Sequence, residues 1–255
     1  MKTDLQMHSN CSDGVLSPKE LIRACKKVGL DVVSLTDHDT VAGLRTAQAE
    51  AQNLGIKFIP GVEISAEREG ESIHILGYEI DSENPELVKK LAYYRQQRKL
   101  RAVRIIQKLE SLGFEVDTKI LERKEESVGR PHIAQAVRNR DISVSEFMQK
   151  WLLPGRPAYV AREKLSVENA IELIHKAGGK AVWAHPTYTF DDLAKIEKLA
   201  KEFKSYGLDG IEVKYFTYTQ AQREFLDKLA DKLDLEKTAG SDFHGGDHPA
   251  KLGEF

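Results

Sequence analysis

The chain has 255 residues, 41% of them hydrophobic and 31% charged, with a formal net charge of −2. These proportions exclude a disordered or low-complexity chain, and no apolar run approaches the roughly 18–20 residues that a membrane span needs. Cys11 and Cys25 are the only cysteines, too few for a disulfide framework, and the stretch from Met1 to Leu5 has no signal-like apolar region, so a cytoplasmic setting is expected.

In chain order, the first strand is expected at Thr3–His8. Ser17-Pro18-Lys19-Glu20 then reads as a helix start, with Ser as N-cap, Pro at the first helical position and Glu closing a capping box; that helix ends at Gly29. A strand at Asp31–Leu35, a helix at Thr40–Leu54 and strands at Ile56–Glu63 and Ser72–Tyr78 follow. From Asn84 to Leu165 the pattern turns helical, with a long helix at Leu87–Leu112 and shorter ones at Pro131–Arg138 and Ser145–Trp151. The rhythm of strand and helix then returns: helix Ser166–Ala177, strand Lys180–His185, helix Asp191–Tyr206, strand Gly210–Val213, helix Thr219–Leu233 and strand Glu236–Ser241. About seven strands in a parallel α/β frame are therefore expected, with residues 1–83 and 166–255 forming the frame and residues 84–165 a helical insertion. The insertion carries 18 Lys and Arg against 10 Asp and Glu, and the frame 20 against 30. A basic part inside an acidic frame suggests one portion that meets an anion and another that holds cations, although a solvated Arg- and Lys-rich helix gives the same count.

Ionisable residues recur at the strand ends: His8, then Asp37-His38-Asp39, Glu63, His74, His185, and Asp242 with His244. In barrels of parallel strands the carboxyl end is where catalytic groups converge, and so many strands feeding one focus favours a barrel over an open sheet. A lone His in such a place is usually a hydrogen-bonded structural residue; the joint pattern is what points to metal. His and carboxylate ligands without Cys suit Mn²⁺, Fe or Zn²⁺ in catalytic sites. Two such ions about 3.5–4 Å apart clamp the attacking and leaving oxygens of a phosphoryl transfer, and Glu63 has the two oxygens needed to bridge them. His175, near a helix C-terminus, reads as structural, His248 is open, and Cys11 reads as a small packing residue.

The motifs Asp4-Leu5-Gln6-Met7-His8-Ser9-Asn10-Cys11-Ser12-Asp13-Gly14, Thr36-Asp37-His38-Asp39, Pro60-Gly61-Val62-Glu63-Ile64-Ser65, His74-Ile75-Leu76-Gly77-Tyr78, His185-Pro186 and Gly240-Ser241-Asp242-Phe243-His244-Gly245 resemble, in order, those of the PHP (polymerase and histidinol phosphatase) superfamily. Gly129-Arg130-Pro131-His132-Ile133-Ala134 resembles its nucleotide-directed branch. The resemblance implies a distorted (β/α)₇ barrel with the insertion over its mouth and two or three divalent ions, Mn²⁺ foremost and Fe or Zn²⁺ as alternatives. It implies one ion position at Gln6, His8, Glu63 and Asp242, a second at Glu63, His74 and His185, and a third at Asp13, His38 and His244, with Arg130 and His132 on the substrate phosphate. Position 6 is His in the family and Gln here, so the first position is expected to be loose, empty as purified, or biased toward Mn²⁺. The family's further C-terminal helix is expected to be missing after Phe255. The expected activity is hydrolysis of a phosphate ester of a nucleotide, a nucleoside 3′,5′-bisphosphate or a short oligonucleotide, by a hydroxide held between ions at Glu63. A histidinol-phosphate phosphatase, a non-catalytic metal-binding module and a nuclease acting in an assembly, such as a 5′-3′ exonuclease, are the alternatives.

Overall fold

The computed structural model describes residues 1–122, 127–246 and 248–255. Its strands are β1 Thr3–Asp4, β2 Val32–Leu35, β3 Lys57–Arg68, β4 Glu71–Tyr78, β5 Leu165–Ser166, β6 Lys180–Trp183, β7 Gly210–Lys214 and β8 Glu236–Ala239. Seven of them follow one path, β1-β2-β3-β4-β6-β7-β8, while the two-residue β5 pairs with the far end of β3. The sheet curls until its ends meet: Leu5 N–H donates to Ala239 O at 3.2 Å and His8 N–H to Phe243 O at 2.9 Å, and Met7 bridges Phe243 in parallel. The result is a nearly closed, barrel-shaped mixed sheet with helices outside, the distorted barrel expected.

It is not all parallel. β3 and β4 form an antiparallel hairpin, and β4 pairs antiparallel with β6. One reversed strand explains why His74 lies early in its strand while the other site residues lie late. In a reversed strand the amino-terminal half faces the end where its neighbours have their carboxyl termini, and His74 stands opposite Ser65 of β3.

Local chemistry sets the helices. Ser17 caps Pro18–Lys27 with a complete capping box to Glu20, and Thr219 does the same for Gln220–Leu233 through Gln222. The helix expected from Thr40 begins only at Leu44, with Gly43 as N-cap. Asp39 has φ of 52° and Thr40 Oγ1 accepts from Ala42 N–H at 3.3 Å, so these residues form a turn that a helix would destroy. The Ser145–Trp151 helix divides into an α-helix, Val144–Phe147, and a π-turn, Met148–Leu152.

The main core packs helices against the outside of the barrel and includes Leu87, Leu91 and Tyr94 from the first turns of the 27-residue helix Pro85–Ser111. The later turns of that helix (Ala102, Ile105, Ile106, Leu109) build a second apolar cluster with Val128, Ile133, Phe147 and Leu152. Inside the barrel, Leu76, Tyr78, Val182 and Ala184 form a small third cluster below the mouth. No described helix is long and apolar enough to cross a membrane.

Candidate metal centre

The loop after β1 is shaped by Asp37, which accepts from Ser9 N–H at 2.8 Å, Ser9 Oγ at 2.6 Å and Ser12 Oγ at 2.6 Å. A Cβ on Gly14 would lie 2.2 Å from His8 O, so only glycine lets the loop fold back this far. That fold sets Asp13 Oδ1 3.3 Å from His244 Nε2 and Asp13 Oδ2 3.9 Å from His38 Nε2. His185 and Asp242 adopt left-handed backbone with φ of 32° and 54°. Such conformations cost energy in non-glycine residues and turn side chains in directions an extended strand does not offer.

Glu63, fully buried, is the centre. Its Oε1 lies 2.7 Å from His74 Nδ1 and 3.1 Å from His185 Nε2, and those two nitrogens are 3.4 Å apart. Its Oε2 lies 3.0 Å from His8 Nε2 and 3.6 Å from His38 Nδ1. Asp242 Oδ1 lies 3.0 Å from the same His8 nitrogen. Each oxygen of one carboxylate therefore serves a different set of imidazoles. His8 Nε2, Asp13 Oδ1 and His38 Nδ1 are buried without a hydrogen-bond partner although oppositely charged atoms lie close by. Groups that approach one another without making hydrogen bonds fit divalent cations between them, and so does the donor chemistry of neutral imidazole and carboxylate.

Electrostatics agree. Burial alone raises a carboxylate, yet His38, His74 and His185 outweigh it and hold Glu63 well below its ordinary range; His244 and His8 do the same for Asp242. Burial pushes His38 down to about 3, keeping its imidazole neutral, the form that ligates.

The Gln6 amide can be set two ways: in one its nitrogen donates to Glu63 Oε2 at 3.3 Å, and in the other the amide is turned over toward Glu212. In the second, its nitrogen donates to Glu212 Oε1 at 2.9 Å and Oε2 at 3.1 Å, and its oxygen takes the place 3.3 Å from Glu63 Oε2. Tyr215 OH donates to Asp242 Oδ2 at 2.8 Å, fixing that carboxylate from behind.

A basic flank adjoins the cluster. Asp39 accepts from Arg98 Nε at 2.7 Å and lies 3.3 Å from Arg162 Nη2. The Arg162 side chain is 4% exposed, with its Nε and Nη1 unpaired. Burial, with Arg98 and Arg130 beside it, lowers Arg162 to about 10; burial and Arg162 lower Lys164 to about 8. The segment bearing Arg130 is tied to the loop after β1 by Ser127 N–H donating to Cys11 O at 2.9 Å. His132 accepts from Gly129 N–H through Nδ1 at 3.0 Å.

The structure thus gathers His8, Asp13, His38, Glu63, His74, His185, Asp242 and His244 with Gln6 around one point, and sets Arg130 and His132 on the segment beside it. His248, left open by sequence, lies tilted against His244 with ring centroids 4.7 Å apart and joins Asp242 and His244 in a group whose ligand atoms are close enough to hold a cation. His175 pairs with Asp209 at 2.8 Å, away from the cluster. Cys11 is half-buried and in no disulfide. Sequence reading passed over Glu212, Tyr215, Arg98 and Arg162. The signal for Glu212 was present, an acid inside the otherwise apolar strand Gly210-Ile211-Glu212-Val213. The two arginines gave none, because their partner Asp39 is distant in sequence.

Comparison with known proteins identifies the family. The model of the PHP domain matches residues 4–187. A 5′-3′ exoribonuclease of Haemophilus influenzae is 39% identical over 95% of this chain and 90% of its own length. A 3′,5′-nucleoside bisphosphate phosphatase of Chromobacterium violaceum is 34% identical over 94% of this chain and 86% of its own. Among solved structures, a metal-dependent phosphoesterase of Bifidobacterium adolescentis superposes with a TM-score of 0.90 at 31% identity, covering 99% of this chain and 91% of that one. A Chromobacterium violaceum amidohydrolase with bound sulfate gives 0.89 at 34% identity, covering 96% and 88%. A family model spanning most of the sequence, and relatives matched along nearly their full lengths, make this chain a member of the PHP domain family.

Proposed function

We propose that this chain is a metal-dependent phosphoesterase that acts on a nucleoside 3′,5′-bisphosphate or on the 5′ end of a short RNA. The observation that carries the reading is the division of the Glu63 carboxylate: Oε1 toward His74 and His185, Oε2 toward His8 and His38. A carboxylate shared in this way suits two cations side by side. Gln6, His8, Glu63 and Asp242 would hold one, Glu63, His74 and His185 a second, and Asp13, His38 and His244 a third. Mn²⁺ is the ion we assign, because carboxylate and amide oxygens favour a harder cation than thiolates do. When bound, the ions supply an activated water and positive charge for the phosphoryl oxygens.

The chain's own groups do the rest. Arg130 offers a planar fork of donors matched to phosphate oxygens, and His132, its ring fixed by Gly129, is assigned to the same phosphate. Arg98, Arg162 and Lys164 add positive potential on that flank and draw an anion toward the mouth. Residues 84–165 are assigned as a cap that narrows access and keeps bulk water from the reacting phosphate. The named relatives, an exoribonuclease and a bisphosphate phosphatase, support the substrate class. Neither cysteine is in a disulfide, as suits a reducing cytoplasm.

The test is phosphate and nucleotide release from adenosine 3′,5′-bisphosphate, AMP and a 5′-phosphorylated RNA pentamer, with and without added Mn²⁺. Metal-dependent turnover of the bisphosphate or the RNA is expected, and its loss in Glu63→Gln. No turnover with any divalent ion, or near-wild-type turnover in Glu63→Gln, refutes the assignment.

A further inference from the structure

Glutamine is a poorer ligand than the histidine its family places at position 6, and nothing in its own side chain decides which end of the amide faces the cluster. The surroundings decide it. Glu212 is fully buried and alternates along its strand with Ile211 and Val213, which belong to the outer core. The pairing of β7 with β8 slips between Glu212 and Lys214, and such a bulge re-aims the side chains next to it. The Glu212 carboxylate accepts from His185 N–H at 2.9 Å and from the Gln6 amide nitrogen at 2.9 and 3.1 Å. The space for this pair is made by Gly240, where a Cβ would lie 2.4 Å from Gln6 Cβ and 3.0 Å from Glu212 Oε1.

With the nitrogen so engaged, the amide oxygen stands 3.3 Å from Glu63 Oε2. Two acceptor oxygens at that distance, with no proton between them, repel. The spacing would suit two oxygen ligands sharing one cation, since bonds of about 2.0–2.2 Å put neighbouring ligand atoms about 3 Å apart. We propose that Glu212 is a positioning residue that locks the Gln6 amide with its oxygen toward His8, Glu63 and Asp242, making Gln6 a true ligand of the first ion position. Glu212 also holds the His185 backbone, so one buried carboxylate orients a ligand of the first position and a ligand of the second. The inference rests on the ion cluster proposed above and adds to it the group that makes glutamine serviceable there. Outer groups that orient metal ligands typically contribute 10–100-fold to affinity.

The experiment is Mn²⁺ binding by calorimetry and by metal analysis on the purified full chain, for wild type, Gln6→Leu, Glu212→Leu and the double variant. Expected is a loss of at least tenfold in affinity for one class of site in Gln6→Leu, the other class keeping its affinity, at least as large a loss at that site in Glu212→Leu with the His185 site weakened as well, and no further loss at the first site in the double variant. Glu212→Gln, which keeps an acceptor for the amide, should hold that affinity within about threefold. Since Glu212→Leu also removes the partner of His185 N–H and risks misfolding, the wild-type chain is tested in parallel. In protein labelled with ¹⁵N-glutamine, the side-chain signal that disappears in Gln6→Leu should broaden at substoichiometric Mn²⁺. Wild-type chain that binds no Mn²⁺ overturns the cluster and this inference together. Wild-type chain that binds normally, while Glu212→Leu keeps every site or the Gln6 signal stays sharp, overturns the inference alone.

Discussion

Asp39→Asn is the substitution whose cost the structure defines best. Asp39 is 2% exposed and faces two guanidiniums, Arg98 at 2.7 Å and Arg162 at 3.3 Å, whose side chains are 9% and 4% exposed. Asn keeps the shape, still accepts from Ser65 N–H, which now donates at 2.8 Å, and tolerates the positive φ of 52° at this residue. Only the charge is lost, leaving two buried cations uncompensated. Removing one partner of a buried pair costs about 3–5 kcal/mol, and each kcal/mol lowers Tm by roughly 2–4 °C in a domain of about this size. A fall of about 10 °C is expected in a thermal melt followed by circular dichroism. Adding Arg98→Met should recover part of it, because one orphaned charge disappears. Glu197→Gln, at a 30% exposed carboxylate shared by Lys201 and Lys232, serves as the surface comparison and should move Tm by less than about 2 °C. If Asp39→Asn changes Tm no more than Glu197→Gln does, the buried arginines are compensated some other way and the reasoning is wrong.

Chelation should destabilise the folded chain: an ion present at about 100 times its dissociation constant contributes about 2.7 kcal/mol, so EDTA is expected to lower Tm by roughly 5–10 °C and added Mn²⁺ to restore it, an unchanged melt counting against the cluster. Binding of anionic substrate should also weaken as pH rises. The Lys164 ammonium, lowered to about 8 by burial and by Arg162, is charged below that pH and neutral above it. KM is therefore expected to climb about fivefold between pH 7 and 9, one charged contact being about 1.5 kcal/mol; Lys164→Arg should flatten the rise, and an equally steep profile in that variant refutes the assignment.

Much of this was legible in sequence because it depends on local rules. Ser17 and Glu20 announce a helix start wherever they stand, and short apolar runs ending in His or Asp mark strands that deliver ligands to a common end. What escaped depends on pairing between distant segments. Nothing near Ser72–Tyr78 reports that this strand runs backwards, since an antiparallel neighbour leaves no periodicity of its own. Arg98 and Arg162 look like any cations on a basic helix and loop until Asp39 is seen between them. Gln6 looks like a damaged ligand until Glu212, more than two hundred residues away, supplies its orientation.

The way the sheet closes has a consequence for motion. Between β8 and β1 no ladder runs; the edges meet through Leu5 with Ala239, Gln6 with Asp242 and His8 with Phe243. Three of those six residues carry side chains assigned to the proposed ions, so a cation gripped by them would act as a clasp across a seam that no ladder among the described strands laces. Amide hydrogens at Leu5, His8 and Asp242 should then exchange with deuterium more slowly once the clasp is fastened, while those of the laced β3–β4 hairpin keep their rates.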